Sequence, residues 1–346
     1  MWPNGVWHEG EAKEGGRWKT NDGDTIYMRP LCVKLTGSNS EFFKPQGMET
    51  KHNHHVLPRL YLKGFVEVKR HPFIWEYTKG REFDPGSKSR NNPQRRSIGV
   101  AGAFEDYYAY PDEQGGVDCD TYENILMRLE QPANPVFAKI RGNQFITPTE
   151  REVFAAYITQ MHRRVPEYRD GVSKMLPEIA ASLKPSREVL ELLNWPDTPD
   201  ATEAYRQIAF RQASEEGAAV RTHLICAANS EQSILPSFLT RMKWRFFVAP
   251  AGTGFLTGDN PVFYFKGIGV KHSDSEISFP ISTEVALVAS WQENHKEGFF
   301  PAPSQVVKEI NRRTASFASE RLYFCRAESW IPLLLQKTER RFNSIH

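Results

Sequence analysis

Thr147-Pro148-Thr149-Glu150 opens the stretch that decides the fold, and Phe154, Tyr157, Ile158, Met161 and Val165 follow it before Pro166. The Thr hydroxyl can accept the amide three residues on, the Glu can reach back, and Pro suits the first helical position. Together they form a capping box. The apolar residues recur at i, i+3, i+4, i+7 and i+11, which is the buried face of a helix. This spacing predicts a helix over 148–164, capped by Thr147 and ended or kinked at Pro166.

On its N-terminal side, Cys119 to Lys139 reads as helical. Tyr122, Ile125, Leu126, Leu129 and Val136 fall near helical spacing, and Pro132 and Pro135 predict a kink or break. On its C-terminal side, residues 168–233 continue as helical segments broken near Pro185 and at Asn194-Trp195-Pro196-Asp197. After Pro236 the character changes. Trp244 to Val248, Phe255 to Thr257, Val262 to Phe265, Ile277 to Phe279 and Val285 to Val288 are short β-like runs separated by Gly, Pro and Asp. They predict an antiparallel sheet over 244–290. Val306 to Ser319 returns to helix and Arg321 to Cys325 to strand. Phe73 to Tyr77 is an earlier strand, followed by a turn-rich loop from Asp84 to Pro93.

The order is α+β, with a helical middle segment packed against a mostly antiparallel sheet in the C-terminal half, rather than repeated βαβ units. Residues 1–50 are rich in Gly, Asn, Glu and Lys without a sustained period, and read as a partly ordered N-terminal extension that can be deleted. Residues 51–346 read as a single α+β domain, with a helical subdomain over about 119–235 and a sheet-rich part over about 240–325.

Composition narrows the function classes. With 44 basic against 42 acidic residues the net charge is +2, so nothing draws the whole protein to nucleic acid. Cys32, Cys119, Cys226 and Cys325 form no CxxC pair, which excludes the zinc-finger and thioredoxin patterns and suits reduced thiols of a cytoplasmic protein. The N-terminus lacks a signal-type apolar core, and Trp330 to Leu335 is too short to span a bilayer, so no membrane partner is expected. Walker A, GxGxxG, HExxH, Gly-x-Ser-x-Gly and zinc-deaminase patterns do not occur, which disfavours the usual nucleotide motors, Rossmann dehydrogenases and serine hydrolases.

The chemistry-bearing residues come from separated segments. His52, His54 and His55 precede the apolar run Val56-Leu57-Pro58-Arg59-Leu60-Tyr61-Leu62. Imidazole serves as metal ligand, proton shuttle or anion partner near neutral pH. In an extended backbone His54 and His55 face opposite ways. They read either as ligand or base, or as rings bonded to backbone. Asp259, in Gly258-Asp259-Asn260-Pro261, reads either as a carboxylate presented at a strand end or as ordinary turn chemistry. Glu123 and Glu130, seven residues apart, could offer two carboxylates to a divalent cation or lie on a solvated face. Gln160, Arg163 and Arg164 read as a phosphate clamp, or as cations suited to a helix C-terminus. Arg90 to Arg96 and Arg312-Arg313 could meet phosphate backbones or be merely solvated.

His54-His55-Val56-Leu57-Pro58-Arg59-Leu60-Tyr61-Leu62-Lys63-Gly64-Phe65 resembles the opening motif of a bacterial family of uncharacterised proteins, the domain of unknown function 4238. That motif has two His, a Pro, an aromatic-Leu pair and a closing Phe. Leu256 to Val262 resembles the family's Thr-Ser-Asp-Asn-Pro-Val, with Gly258 in place of the usual Ser. Phe279-Pro280-Ile281-Ser282 resembles its Pro-Leu-Ser element. Asp106-Tyr107-Tyr108, the Glu123 to Glu130 helix and Gln160 with Arg163 to Pro166 are weaker matches. The resemblance spans His52 to Phe324. It implies no settled activity; a genome-defence role follows only by analogy.

Two functional expectations result. The first is a metal-dependent phosphodiesterase or nuclease acting on nucleic acid or a nucleotide. His54, His55 and Asp259 would serve as catalytic groups and as ligands of a divalent metal ion, while Arg163 or Arg164 steadies the phosphate. The alternative is a non-catalytic sensor or protein-interaction module in which these residues lock the fold. The enzyme reading expects His54 or His55 to share a pocket with Asp259, with Arg163 or Arg164 at its rim.

Overall fold

The computed structural model describes residues 16–19 and 25–28, and then 53–335 apart from 68–71, 80–92, 112–115, 216 and 231–232. Residues 342, 344 and 345 are also described. β1 (Gly16–Lys19) pairs antiparallel with β2 (Thr25–Met28). The remainder of the expected arm, and His52, lie outside the described residues.

Next in the described residues are β3 (Asn53–His55), α1 (Arg59–Leu62) and a single 3₁₀ turn (Lys63–Phe65). Next come β4 (Phe73–Thr78), β5 (Gln94–Ser97), β6 (Ala103–Glu105), β7 (Tyr110–Pro111) and β8 (Val117–Asp118). A helical run follows: α2 (Thr121–Arg141), α3 (Pro148–Arg163), α4 (Pro166–Ser182), α5 (Arg187–Leu192), α6 (Pro199–Ala213), α7 (Ala218–Ala228) and α8 (Ile234–Leu239). The chain then gives β9 (Lys243–Val248), β10 (Thr257–Gly258), β11 (Phe263–Tyr264), β12 (Glu276–Pro280), β13 (Val285–Ser290) and β14 (Gly298–Pro301). It closes with α9 (Ser304–Phe317), β15 (Arg321–Phe324) and α10 (Trp330–Leu335). The class is α+β.

The capping box forms as the sequence predicts. The Glu150 amide donates to Thr147 Oγ1 at 3.2 Å, and the Thr147 amide donates to Glu150 Oε2 at 2.8 Å. Phe154, Tyr157, Ile158 and Met161 of α3 are fully buried. α3 ends at Arg163, just before Pro166, as expected, and Pro166 then starts α4. α2 runs unbroken through Pro132 and Pro135, where a kink or break was expected. Its Ala133, Val136, Phe137 and Ile140 are buried in the main core. That packing outweighs the lost backbone bonds, as tertiary contacts commonly override propensity.

The short aromatic runs divide between two sheets. One has the order β11-β12-β13-β9-β14 and is antiparallel except where β14 runs parallel to β9. The other is β10-β15-β4-β5, antiparallel throughout. Thr257 therefore does not extend the 244–290 sheet, as expected, but crosses to the second. Leu256 draws it there by packing with Tyr77, Leu322 and Phe324. β12 and β13 are buried at every position. Helices α2, α3 and α8 supply the main core on one face, and Val307 and Ile310 of α9 cover Phe247, Ala286 and Val288 on the other. α4 and α6 hold a smaller core of their own. Among the described residues no helix is long and apolar enough to cross a membrane.

Candidate functional site

β3 pairs with β6, setting His54 opposite Phe104 and His55 opposite Ala103. Strand alternation then sends the two imidazoles different ways. His54 is fully buried. The Tyr108 amide donates to its Nδ1 at 2.8 Å, and its ring stacks on Tyr108 with centroids 5.3 Å apart. Because Nδ1 accepts, the ring proton sits on Nε2, which has no hydrogen-bond partner. His55 turns toward α1, where its Nε2 meets the Gly99 carbonyl at 3.0 Å with Arg59 Nε 3.3 Å away. Burial and the charge of Arg59 hold the His55 pKa down at about 4, so the ring is neutral.

Arg164 caps the C-terminus of α3 and is 1% exposed. It donates to Glu130 Oε1 at 2.7 Å, to the Tyr108 hydroxyl at 3.1 Å and to the His55 carbonyl. Tyr108 lies within the field of both Glu130 and Glu123, so the α2 face carrying these carboxylates turns inward rather than to solvent. Arg163 donates to the Cys226 carbonyl at 3.0 Å, and its own carbonyl bonds His223 Nε2 at 2.8 Å. Arg164 thus binds the helical bundle to the β3–β6 pair, and Arg163 ties α3 to α7.

Asp259 follows β10 and is fully buried. Its carboxylate accepts three successive amides, from Ser319 at 2.7 Å, Glu320 at 2.8 Å and Arg321 at 3.0 Å. These amides form the turn between α9 and β15. Burial pushes the Asp259 pKa up to about 6 against the pull of those three donors. The Asp259 amide also donates to the Arg321 carbonyl at 3.1 Å. Gly258 occupies the usual Ser position because space is short: a Cβ there would lie 3.1 Å from Ala318 Cβ and 3.2 Å from the Arg321 carbonyl.

No hydrogen bond joins Asp259 to His54 or His55. The connection is indirect: Tyr323 of β15 lies in the field of Asp259 and accepts the Gly102 amide at 3.2 Å. The Gly102 carbonyl in turn accepts the amides of Val56 and Leu57. Among the described residues, no group of three or more His, Cys, Asp or Glu is placed to hold a metal ion. Asn260 donates to Glu167 at 2.8 Å, tying the turn to the start of α4.

Several anchoring residues carried little or no sequence signal. Tyr61 and Tyr108 stood in the sequence only as parts of family-like segments, with no role of their own. Arg141 donates to the Tyr61 carbonyl at 3.0 Å and the Ile281 carbonyl at 3.1 Å. His223 is a solitary helical histidine that no pattern flagged. Of the basic clusters, Arg95 and Arg96 pair with Glu67 and Glu76, and Arg90 lies outside the described residues. Arg313 does not face phosphate: it is fully buried and bonds Glu276 at 2.7 Å. A groove of about 710 Å³ lined by Glu203, Arg206, Phe210 and Arg211 lies on α6, on a different element from every predicted site residue.

The sequence profile of a family described as "Protein of unknown function (DUF4238)" matches residues 53–328. No curated protein matches, and no solved structure matches.

Proposed function

The chain belongs to that family, and on this premise we propose that it is a non-catalytic sensor or interaction module whose polar segments lock its fold. One observation carries the reading: the Asp259 carboxylate accepts three consecutive backbone amides. A catalytic or metal-binding carboxylate keeps oxygen lone pairs turned toward substrate or cation. Asp259 instead fastens the α9–β15 turn. His54 supports the same view. Metal ligation through Nε2 normally accompanies an Nδ1 that donates, whereas here Nδ1 accepts. The free thiol of Cys325 suits a reducing cytoplasm.

The experiment is metal analysis of purified protein, followed by incubation with DNA, RNA and nucleotides with and without EDTA. The module reading expects no stoichiometric metal and no EDTA-sensitive cleavage. Cleavage that EDTA abolishes would overturn it.

A second reading, the metal-dependent phosphodiesterase with His54, His55 and Asp259 at its site, draws on a different observation. The His54 Nε2 proton is a buried donor without a protein acceptor, and a phosphate oxygen would suit it. On that reading His54→Gln abolishes cleavage at unchanged melting temperature.

A further inference from the structure

Helix α6 buries Tyr205, Ala209 and Ala213 in the small core it shares with α4. Its opposite face carries Glu203, Gln207, Phe210 and Arg211, all exposed. Phe210 stands 48% exposed, where an outward helix face is ordinarily polar. Single apolar residues on a surface are commonplace. This one lines the groove of about 710 Å³, together with Ala181 of α4 and Glu203, Arg206, Gln207 and Arg211 of α6.

The charges on this face are patterned. Glu203, Gln207 and Arg211 recur every four residues, so they form one ridge along the exposed surface of the helix. Gln207 is its midpoint, with the acid one turn before it and the base one turn after. Neither end is firmly engaged. Glu203 accepts from Gln207 Nε2 at 3.4 Å and lies 3.7 Å from Arg206 Nη1, with its side chain 59% exposed. Arg206 already donates through Nε to the Leu183 carbonyl at 3.1 Å. The Arg211 guanidinium has no acidic partner among the described residues.

Such a ridge is its own complement. A two-fold axis at Gln207 reverses the helix and sets each Glu203 beside the partner's Arg211, with the two Gln207 amides meeting at the centre. Packing of such four-residue ridges against each other is the commonest class of helix contact. We propose that the exposed face of α6 is a self-association surface, through which two copies of this chain pair antiparallel about Gln207. Two Glu203–Arg211 ion pairs join them, and Phe210 of each copy enters the groove of the other. The charge pattern selects this occupant, because an unlike partner gives no reason for acid and base to stand equidistant from a central amide. The inference goes beyond the module reading and does not rest on it, since an enzyme with this face would pair in the same way. Metal content and cleavage test that reading, whereas oligomeric state tests this one.

Exposed ion pairs each change affinity by less than about tenfold, so the dimer is weak and loosens as salt rises. Sedimentation of the full chain over a range of concentrations reads it as a monomer–dimer equilibrium. Arg211→Glu opposes carboxylates at both contacts, and Glu203→Arg opposes guanidinium groups. Each variant alone should be monomeric, with the melting temperature of the parent because both positions are exposed. An equal mixture of the two should dimerise again, since one copy then presents two cations and the other two carboxylates. Phe210→Ala leaves the charges in place and should weaken the parent dimer by about tenfold or more. A parent that stays monomeric at every concentration overturns the proposal. So does a dimer that survives both charge reversals, or a mixture of the two folded variants that stays monomeric.

Discussion

The hydroxyls of Tyr61 and Thr257 lie 2.7 Å apart in the closed core, although 196 residues separate them in the chain. Tyr61 donates its proton to the Pro280 carbonyl at 2.8 Å, so Thr257 donates to Tyr61. One phenol therefore ties together the segments that follow His55, precede Asp259 and end β12. Tyr61→Phe leaves both partners buried without a bond and should lower unfolding stability by roughly 1–3 kcal/mol. Urea denaturation with an unchanged midpoint would contradict this junction.

Gly64 sits at the same junction. A Cβ there would lie 2.6 Å from the Ile281 carbonyl and 3.0 Å from Ser282 Cα, both backbone atoms unable to swing aside. The Thr283 amide also donates to the Gly64 carbonyl at 2.9 Å. Gly64→Ala should destabilise by about 1–3 kcal/mol or more, as overpacking does. Thermal unfolding checks it, and a variant melting with the parent would show that the two segments separate easily.

Arg164 is the buried cation that joins α2, α3 and the β3–β6 pair. Arg164→Met removes its bonds to Glu130, Tyr108 and the His55 carbonyl, and should cost about 3–5 kcal/mol, the usual loss when one partner of a buried pair is removed. If the arginine instead steadied phosphate, the variant would keep its stability and lose only ligand binding. Chemical denaturation beside a binding assay separates the two.

How much of this was legible beforehand differed by element. The α3 helix was plain because its cap and its apolar stripe are local signals that agree. The division of the aromatic strands between two sheets was not. Thr257 is placed by contacts of Leu256 with Tyr77 and Phe324, which no local period encodes. His54, His55, Asp259, Arg163 and Arg164 were singled out as polar residues beside apolar runs, and all five are buried. Their partners were illegible because most are backbone groups: the Tyr108 amide, the Gly99 carbonyl and the amides of residues 319–321. A backbone group leaves no mark in side-chain sequence.

Acid should weaken the fold well before carboxylates in general protonate. Burial is the leading cause that holds His55 and His162 at about 4 and His223 at about 3. Each folded pKa lies below the unfolded value, so the unfolded chain binds more protons. The contribution is complete above about pH 6.5 and is lost as pH falls from there toward 4. Asp259, raised to about 6, works in the opposite sense: its term is present below the unfolded pKa and is lost as pH rises through 6. Three histidines against one carboxyl leave a net loss on acidification. Urea midpoints at pH 7.5 and 5.0 should show the lower value at 5.0, and equal midpoints would refute the argument.

The central claim is that the most conspicuous polar residues hold the structure together. The direct measurement is the unfolding free energy of Asp259→Ala against the parent chain, from urea denaturation at neutral pH. Loss of the acceptor for three amides at one turn should lower it by about 3 kcal/mol or more. An Asp259→Ala protein as stable as the parent would contradict the lock and return Asp259 to the catalytic reading.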